Sequence, residues 1–402
     1  MIFGLELENF YCFRDRQLID LEVAENAPDL PAHFGPIAPG VRRRAPRIVA
    51  FFGPNASGKS TVLRALTFLA WFARDSLLAA PEARLPYDRF NDAESTNRPT
   101  RLRLCFTGPT DLQTVSEDKR EWSVYLYDLV LGNALDGSNR VVSETLRRQP
   151  EGRGRSHRVF ERTESGIVVA DASFRLGSYA SITVRSNASA IATLAQLGHP
   201  LSLRIRELAR TVWSNILLER VDPSEADAAR MYLLFPDLTA KLNREIDRID
   251  LGVRGMQVTG HGSNAELLFH HQGLQIPMRW NAESHGTRSV LRYFPVINHA
   301  LETGGVAVID ELDASIHPHV VAEIFRWFHD PERNEHDAQL WITCHNASLL
   351  DELEKEEVFI CEKDRLGQAR VYGLKDIKSV RRDHNLYRKY MSGVYGGVPL
   401  IG

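Results

Sequence analysis

The sequence predicts an α/β fold, with a mixed β lobe and a parallel sheet flanked by helices, interrupted by a mainly helical insertion. Three observations carry this. Early segments rich in β-branched and aromatic residues end on Gly, Asn or Asp; one of them runs through a glycine-bounded loop into a helical pattern; a later block places apolar residues at three- and four-residue spacing. With 402 residues and 43 % hydrophobic side chains the chain can bury a sizeable core. At ~150 residues per domain, that length suits two or three domains.

Taken in order, "IFGLELENFYCF" (2–13), "RIVAFFG" (47–53), "TRLRLCFTG" (100–108) and "EWSVYLYDLVLG" (121–132) read as strands of a first lobe. The Pro-, Gly- and Ala-dense stretch 23–46 reads as a surface loop, and Arg42–Arg44 within it as solvated loop charge. From 138 to 190 the text turns polar, and "RRQPEGRGRSHRVFERTESG" (147–166) reads as an exposed basic hairpin, with nucleic-acid contact as the alternative. Residues 188–220 and 224–250 read as amphipathic helices whose heptads last only a few turns, which argues against a long coiled-coil arm. The resulting partition is 1–137 for the first part of a head, 138–248 for an inserted polar turn and helical subdomain, and 249–402 for the second part of the head.

Composition narrows the function classes. Basic residues number 49 and acidic 52, a net charge of −3, so no global basic field points to nucleic acid and any such contact rests on local patches. The cysteines Cys12, Cys105, Cys344 and Cys361 form no C-x-x-C pair, which excludes a zinc knuckle, a zinc hook or a redox dithiol and suits buried thiols in a reducing compartment. No apolar run approaches the ~20 residues of a membrane span, and the first residues lack the pattern of a secretory leader. A cytoplasmic protein without membrane contact is expected.

The chemistry starts at Gly53-Pro54-Asn55-Ala56-Ser57-Gly58-Lys59-Ser60, which fits G-x-x-x-x-G-K-[ST] between a strand and a helix beginning Lys59-Ser60-Thr61. In such a loop the backbone N–H groups and helix N-terminus surround phosphates, the lysine ammonium spans the β- and γ-phosphates, and the serine hydroxyl holds Mg²⁺. A second strand, in "GGVAVIDELDASIHP", ends in Asp310 and Glu311. Adjacent carboxylates there suit ATP hydrolysis, Asp310 ordering Mg²⁺ and Glu311 polarising the attacking water. A third, "AQLWITCH", ends in His345, placed to meet a γ-phosphate at the same sheet edge.

The order P-loop, "ESHGTR", "VIDELDASIHP" and "ITCHN" resembles the ABC-type ATPase heads of the SMC, RecF and overcoming-lysogenization-defect group. The resemblance implies an ABC-type head fold, ATP and Mg²⁺ as ligands, and dimerisation around two nucleotides. It also implies that Ser284 and Gly286 form a signature reading the γ-phosphate held by another subunit, in addition to Ser284 capping a helix over "GTRSVLRYF". The signature reads Glu283-Ser284-His285-Gly286-Thr287 in place of the transporter Leu-Ser-Gly-Gly-Gln, and "LPYDRF" (85–90) stands where the lobe-coupling loop belongs. The opening "LELENFYCFRD" resembles the "NFRSF" strand of the SMC-like group, and the ending "VYGLKDIKSVRRDHNLYRKYMSGVYGGVPLIG" is similar to the terminus of the single-gene ATPases of bacterial anti-phage operons. The expectation is therefore an ATP-driven switch that gates a toxin or nuclease partner encoded in the same operon. The alternative is an SMC-like DNA-repair or chromosome-processing ATPase, which a long coiled coil and a zinc hook would favour. A nuclease carried by the chain itself is not expected, since the stretch after His345 shows no Glu followed by an Asp-x-Asp pair on strands.

Overall fold

A computed structural model describes residues 1–110, 121–133, 139–150, 154–249 and 252–399. The first half runs β1 (Ile2–Glu8), β2 (Gln17–Asp20), β3 (Phe34–Pro36), β4 (Arg44–Pro46), β5 (Ile48–Phe52), helix α1 (Lys59–Asp75), β6 (Thr100–Pro109), β7 (Trp122–Asn133), β8 (Asn139–Pro150), β9 (His157–Thr163) and β10 (Gly166–Ala170). The second half runs α2 (Ala190–Gln196), α3 (Pro200–Arg210), β11 (Val212–Ser214), α4 (Glu225–Leu234), α5 (Pro236–Ile249), β12 (Val253–Thr259), β13 (Glu266–His271) and β14 (Met278–Arg279). It closes with α6 (His285–Thr303), β15 (Val306–Ile309), α7 (Pro318–His329), β16 (Gln339–Thr343), β17 (Val358–Lys363), β18 (Ala369–Gly373) and α8 (Leu386–Met391).

Two large sheets result. An antiparallel sheet has the order β10-β9-β8-β7-β6-β1-β2, and a second has the order β11-β15-β16-β5-β17-β18, parallel except for its β17–β18 edge. This is the α/β class expected, with a β lobe joined to a P-loop sheet. Strands of the parallel sheet are apolar on both faces, as strands covered on both sides must be. Val49, Phe51, Val306, Val308 and Trp341 enter one core with α1 and the β lobe, while Ile48, Ala50, Phe52, Ala307, Ile309 and Ile342 enter a second core with α6 and α7. The parallel sheet is thus the wall between two cores, and its chain-reversing ends are left for chemistry. None of the helices among the described residues is long and apolar enough to cross a membrane.

Several local expectations are corrected. The strand expected over 2–13 stops at Glu8, because Asn9 and Tyr11 take φ of 52° and 48° and turn the chain. The stretch 23–46 is no plain surface loop: it forms the β3–β4 pair and buries Phe34, Ile37 and Ala45. The block 188–220 is not one helix. Gly198 takes φ of 86°, His199 caps α3 and Pro200 occupies its first turn, so α2 and α3 separate. After Arg210 the β-branched and aromatic residues of β11 leave the helix and pair in parallel with β15, Val212 opposite Val306. The span 138–248 is consequently shared out: β8–β10 extend the antiparallel sheet, α2 joins the core around α1, and β11 edges the parallel sheet. Of the basic hairpin, residues 151–153 lie outside the described residues, as does the 137/138 boundary. Cys344 and Cys361 are buried and Cys12 and Cys105 half-buried, all four as free thiols.

Candidate active site

The loop from β5 to α1 turns through Gly53, Ala56 and Gly58 at φ of 146°, 60° and 104°. A Cβ on Gly53 would collide with the carbonyl oxygen of Cys361 on neighbouring β17, so both conformation and close approach call for glycine there. Ala56 accepts the left-handed region, at a cost of roughly 1 kcal/mol for a residue with a Cβ. Gly58 precedes α1, whose N-terminus has no side-chain cap and no acid in its first turn. No side chain therefore competes there with an anion for the first N–H groups.

Lys59 is buried, and its Nζ donates to the carbonyls of Gly53 at 2.9 Å and Pro54 at 3.0 Å, which holds the ammonium over the loop. Burial lowers its pKa, opposed by the nearby Cys361, Asp310, Glu311 and Asp313. Among the described residues, the buried Ser57 hydroxyl has no hydrogen-bond partner. Pro54, Asn55 and Ser57 border a cavity of about 600 Å³ closed on its other side by Lys363, Arg370 and Gly397. Thr61 is buried with its hydroxyl engaged by the Cys12 thiol at 3.5 Å.

Asp310, at the end of β15, is 5 % exposed. Its Oδ1 accepts from the Ser60 hydroxyl at 2.8 Å and the Thr343 hydroxyl at 2.7 Å. Asn215, just past β11, clamps the same residue through its backbone: Asp310 N donates to Asn215 Oδ1 at 2.8 Å and Asn215 Nδ2 donates to the Asp310 carbonyl at 3.1 Å. Glu311 follows with φ of 55°, and its N–H donates to Thr343 Oγ1 at 2.7 Å. That carboxylate pairs with the Arg220 guanidinium and lies 3.5 Å from His345 Nε2. Arg220 is itself held by Asp222 at 2.9 Å and the Tyr293 hydroxyl of α6 at 3.0 Å. Burial opposes its charge, but these partners outweigh it and keep the guanidinium firmly protonated. His345 presents an exposed imidazole, its backbone N–H fixed at 2.7 Å by the Asp313 carboxylate, which also accepts from Asn346 N at 2.6 Å.

Lys59, Ser60, Asp310, Glu311 and His345 therefore share one end of the parallel sheet. Ser284 and Gly286 do not join them. Ser284 is exposed and caps α6, accepting from Thr287 N at 3.0 Å, and with Gly286 it lines a separate cavity of about 260 Å³ beside Ser315, His317 and Val320. The α6 N-terminus likewise carries no acid. Four residues at the main cluster have no role assigned from the sequence: Asn215 and Arg220, outside the motifs, and Asp313 and Thr343, within them. A hydroxyl closing the apolar run "LWIT" and an acid two places after Glu311 are faint signals for Thr343 and Asp313. Asn215 and Arg220 have none, since their stretch has helical spacing.

No curated protein matches the chain. Solved structures to which it is similar include an SMC head domain from Thermotoga maritima, at 12 % identity over 92 % of this chain and 98 % of that one with a TM-score of 0.41. An SmcHead bound to the C-winged helix domain of ScpA matches at 14 % identity over 92 % and 97 %, with a TM-score of 0.47. An Smc head domain with an extended coiled coil bound to the C-terminal domain of ScpA, derived from Pyrococcus furiosus, matches at 12 % identity over 98 % of each chain, with a TM-score of 0.43. The family model described as "AAA domain, putative AbiEii toxin, Type IV TA system" matches residues 48–351, from the P-loop strand past His345 and well over half of the chain, and the chain belongs to that family.

Proposed function

We propose that this protein binds ATP with Mg²⁺ at the Gly53–Thr61 loop and hydrolyses it when two copies close around two nucleotides. The observation carrying the reading is the shared Asp310 oxygen, which gathers the Ser60 hydroxyl and, through Thr343, the Glu311 backbone into one cluster below an uncapped helix N-terminus. The donor set fits the ligand: a hydroxyl and a carboxylate are hard-cation ligands, and the orphaned Ser57 hydroxyl and the uncapped α1 N-terminus suit phosphate oxygens. ATP bound there would carry the anhydride to be cleaved, and Mg²⁺ would offset its charge. Lys59 would add its ammonium to the phosphates, Ser60 and Asp310 would hold the cation, Glu311 would take the proton of the attacking water at its carboxylate, and His345 would contact the γ-phosphate. Ser284 and Gly286 would complete the site of the other copy.

The reading extends to a gating role over a toxin or nuclease partner in anti-phage defence. The family's description, which names a type IV toxin–antitoxin system, supports a defence setting for it. Lys59→Ala is expected to abolish ATP binding, whereas Glu311→Gln keeps binding and slows turnover by about 10²–10⁴-fold, the usual cost of removing a general base. Nucleotide titration beside phosphate release checks this; equal loss of ATP affinity in both variants contradicts the roles.

A further inference from the structure

We propose that His33, His329 and Glu357 form a binding site for one divalent transition-metal ion of the zinc class, remote from the nucleotide cluster. The three come from distant parts of the chain: the stretch before β3, the last residue of α7 and the residue before β17. Their donor atoms all lie within 4.8 Å of one another. His33 Nδ1 stands 2.9 Å from Glu357 Oε2 and His329 Nε2 stands 2.8 Å from Glu357 Oε1, and the two imidazole centroids are 4.1 Å apart. Two histidines and one carboxylate are a ligand set that zinc accepts, with a fourth position for water. The Glu357 side chain has no solvent exposure, while that of His33 keeps 24 %, so water has a way in.

Glu357 is a buried carboxylate, and Arg382, the neighbouring guanidinium, is committed to Glu354 and Glu356. A dication held by the three donor atoms would compensate the carboxylate, with one nitrogen of each ring as ligand. Donors arranged tetrahedrally at about 2.0–2.1 Å from zinc sit about 3.3–3.4 Å apart, so each N···O contact would open by roughly half an ångström. The Glu354 N–H donates to Glu357 Oε2 at 2.8 Å and orients the carboxylate, as outer-shell donors to metal ligands do. Arg47 N donates to the His33 carbonyl and Ala50 N to the Glu357 carbonyl, so an ion here would pin the 23–46 stretch, the end of α7 and β17 around the start of β5. That is the opposite end of β5 from the P-loop, which makes the role one of holding the scaffold.

The test uses the full chain, stripped with chelator and reloaded with Zn²⁺ or Co²⁺. Expected are about one zinc per chain by elemental analysis after gel filtration, a visible Co²⁺ spectrum of a four-coordinate site, and a melting temperature that falls on chelation and returns with Zn²⁺. His329→Gln and His33→Asn should each weaken zinc binding by at least ~10-fold, while Lys59→Ala leaves it unchanged. If stripped wild-type protein stays folded, takes up neither ion at micromolar concentration and melts as before, the trio is a hydrogen-bonded brace and the proposal is overturned. Equal zinc uptake by wild type and both histidine variants would place the ion elsewhere and overturn it too. Should either variant misfold, the Co²⁺ spectrum of wild type decides.

Discussion

Thr343 holds both acidic residues of the cluster at once, donating to Asp310 Oδ1 and accepting from the Glu311 N–H, each at 2.7 Å. A fully buried hydroxyl with both roles filled is a positioning group, and valine keeps its shape while removing both bonds. Thr343→Val is expected to raise the Mg²⁺ requirement of ATP turnover by about 10–100-fold, the usual effect of losing a partner behind a metal ligand. Turnover measured against Mg²⁺ concentration checks it; an unshifted curve would mean that Ser60 alone orients Asp310. At the same scale Lys59 has a pKa lowered by burial, so its ammonium is lost at a lower pH than that of an exposed lysine. The charge is present below that pKa and ATP affinity should decline as pH rises through it, which titration across alkaline pH reads directly.

Among elements, the three-residue strand β11 has an influence out of proportion to its length. By pairing with β15 it delivers Asn215 to the backbone of Asp310 and the following loop delivers Arg220 to Glu311, while Tyr293 ties that loop to α6. The helix whose first residues carry the proposed signature is thereby linked to the residue proposed to act on the attacking water. Asn215→Ala would leave the Asp310 N–H and carbonyl without their partner, at a cost of about 1–3 kcal/mol. A lower midpoint in thermal or urea unfolding is expected, together with reduced turnover; a midpoint equal to wild type would show that other groups replace the amide.

On the scale of the whole molecule, Ser284 borders one cavity and the P-loop residues Pro54, Asn55 and Ser57 another, and the proposed dimer would join the two from different copies. A two-fold interface would place each α6 N-terminus against the partner's P-loop nucleotide. Ser284→Arg should leave ATP binding by the single chain nearly intact yet prevent nucleotide-dependent dimerisation and hydrolysis. If Ser284 were merely a cap, the substitution would cost about 1 kcal/mol of stability and nothing else. Sedimentation with ATP in the Glu311→Gln background separates these outcomes, and mixing Ser284→Arg with Lys59→Ala tests whether one intact composite site restores turnover. Unchanged association of Ser284→Arg would end the composite-site reading.

Elements whose causes are local are legible in the sequence. The P-loop is legible because glycines at special φ, a lysine and a serine recur at fixed spacing between a strand and a helix, and the Asp310–Glu311 pair is legible because two acids interrupt an apolar strand. The α/β class followed from periodicity in the same way. Only the tertiary structure decided which residues stand behind them. β11 is too short to show a period, and its parallel pairing with β15 joins positions far apart in sequence, so the helical spacing before it was carried past Arg210 into a strand. The division of 138–248 among both sheets and the gathering of His33, His329 and Glu357 have the same origin. Contacts of that kind are set by how sheets and helices pack, and packing depends on surfaces that no single stretch of sequence contains.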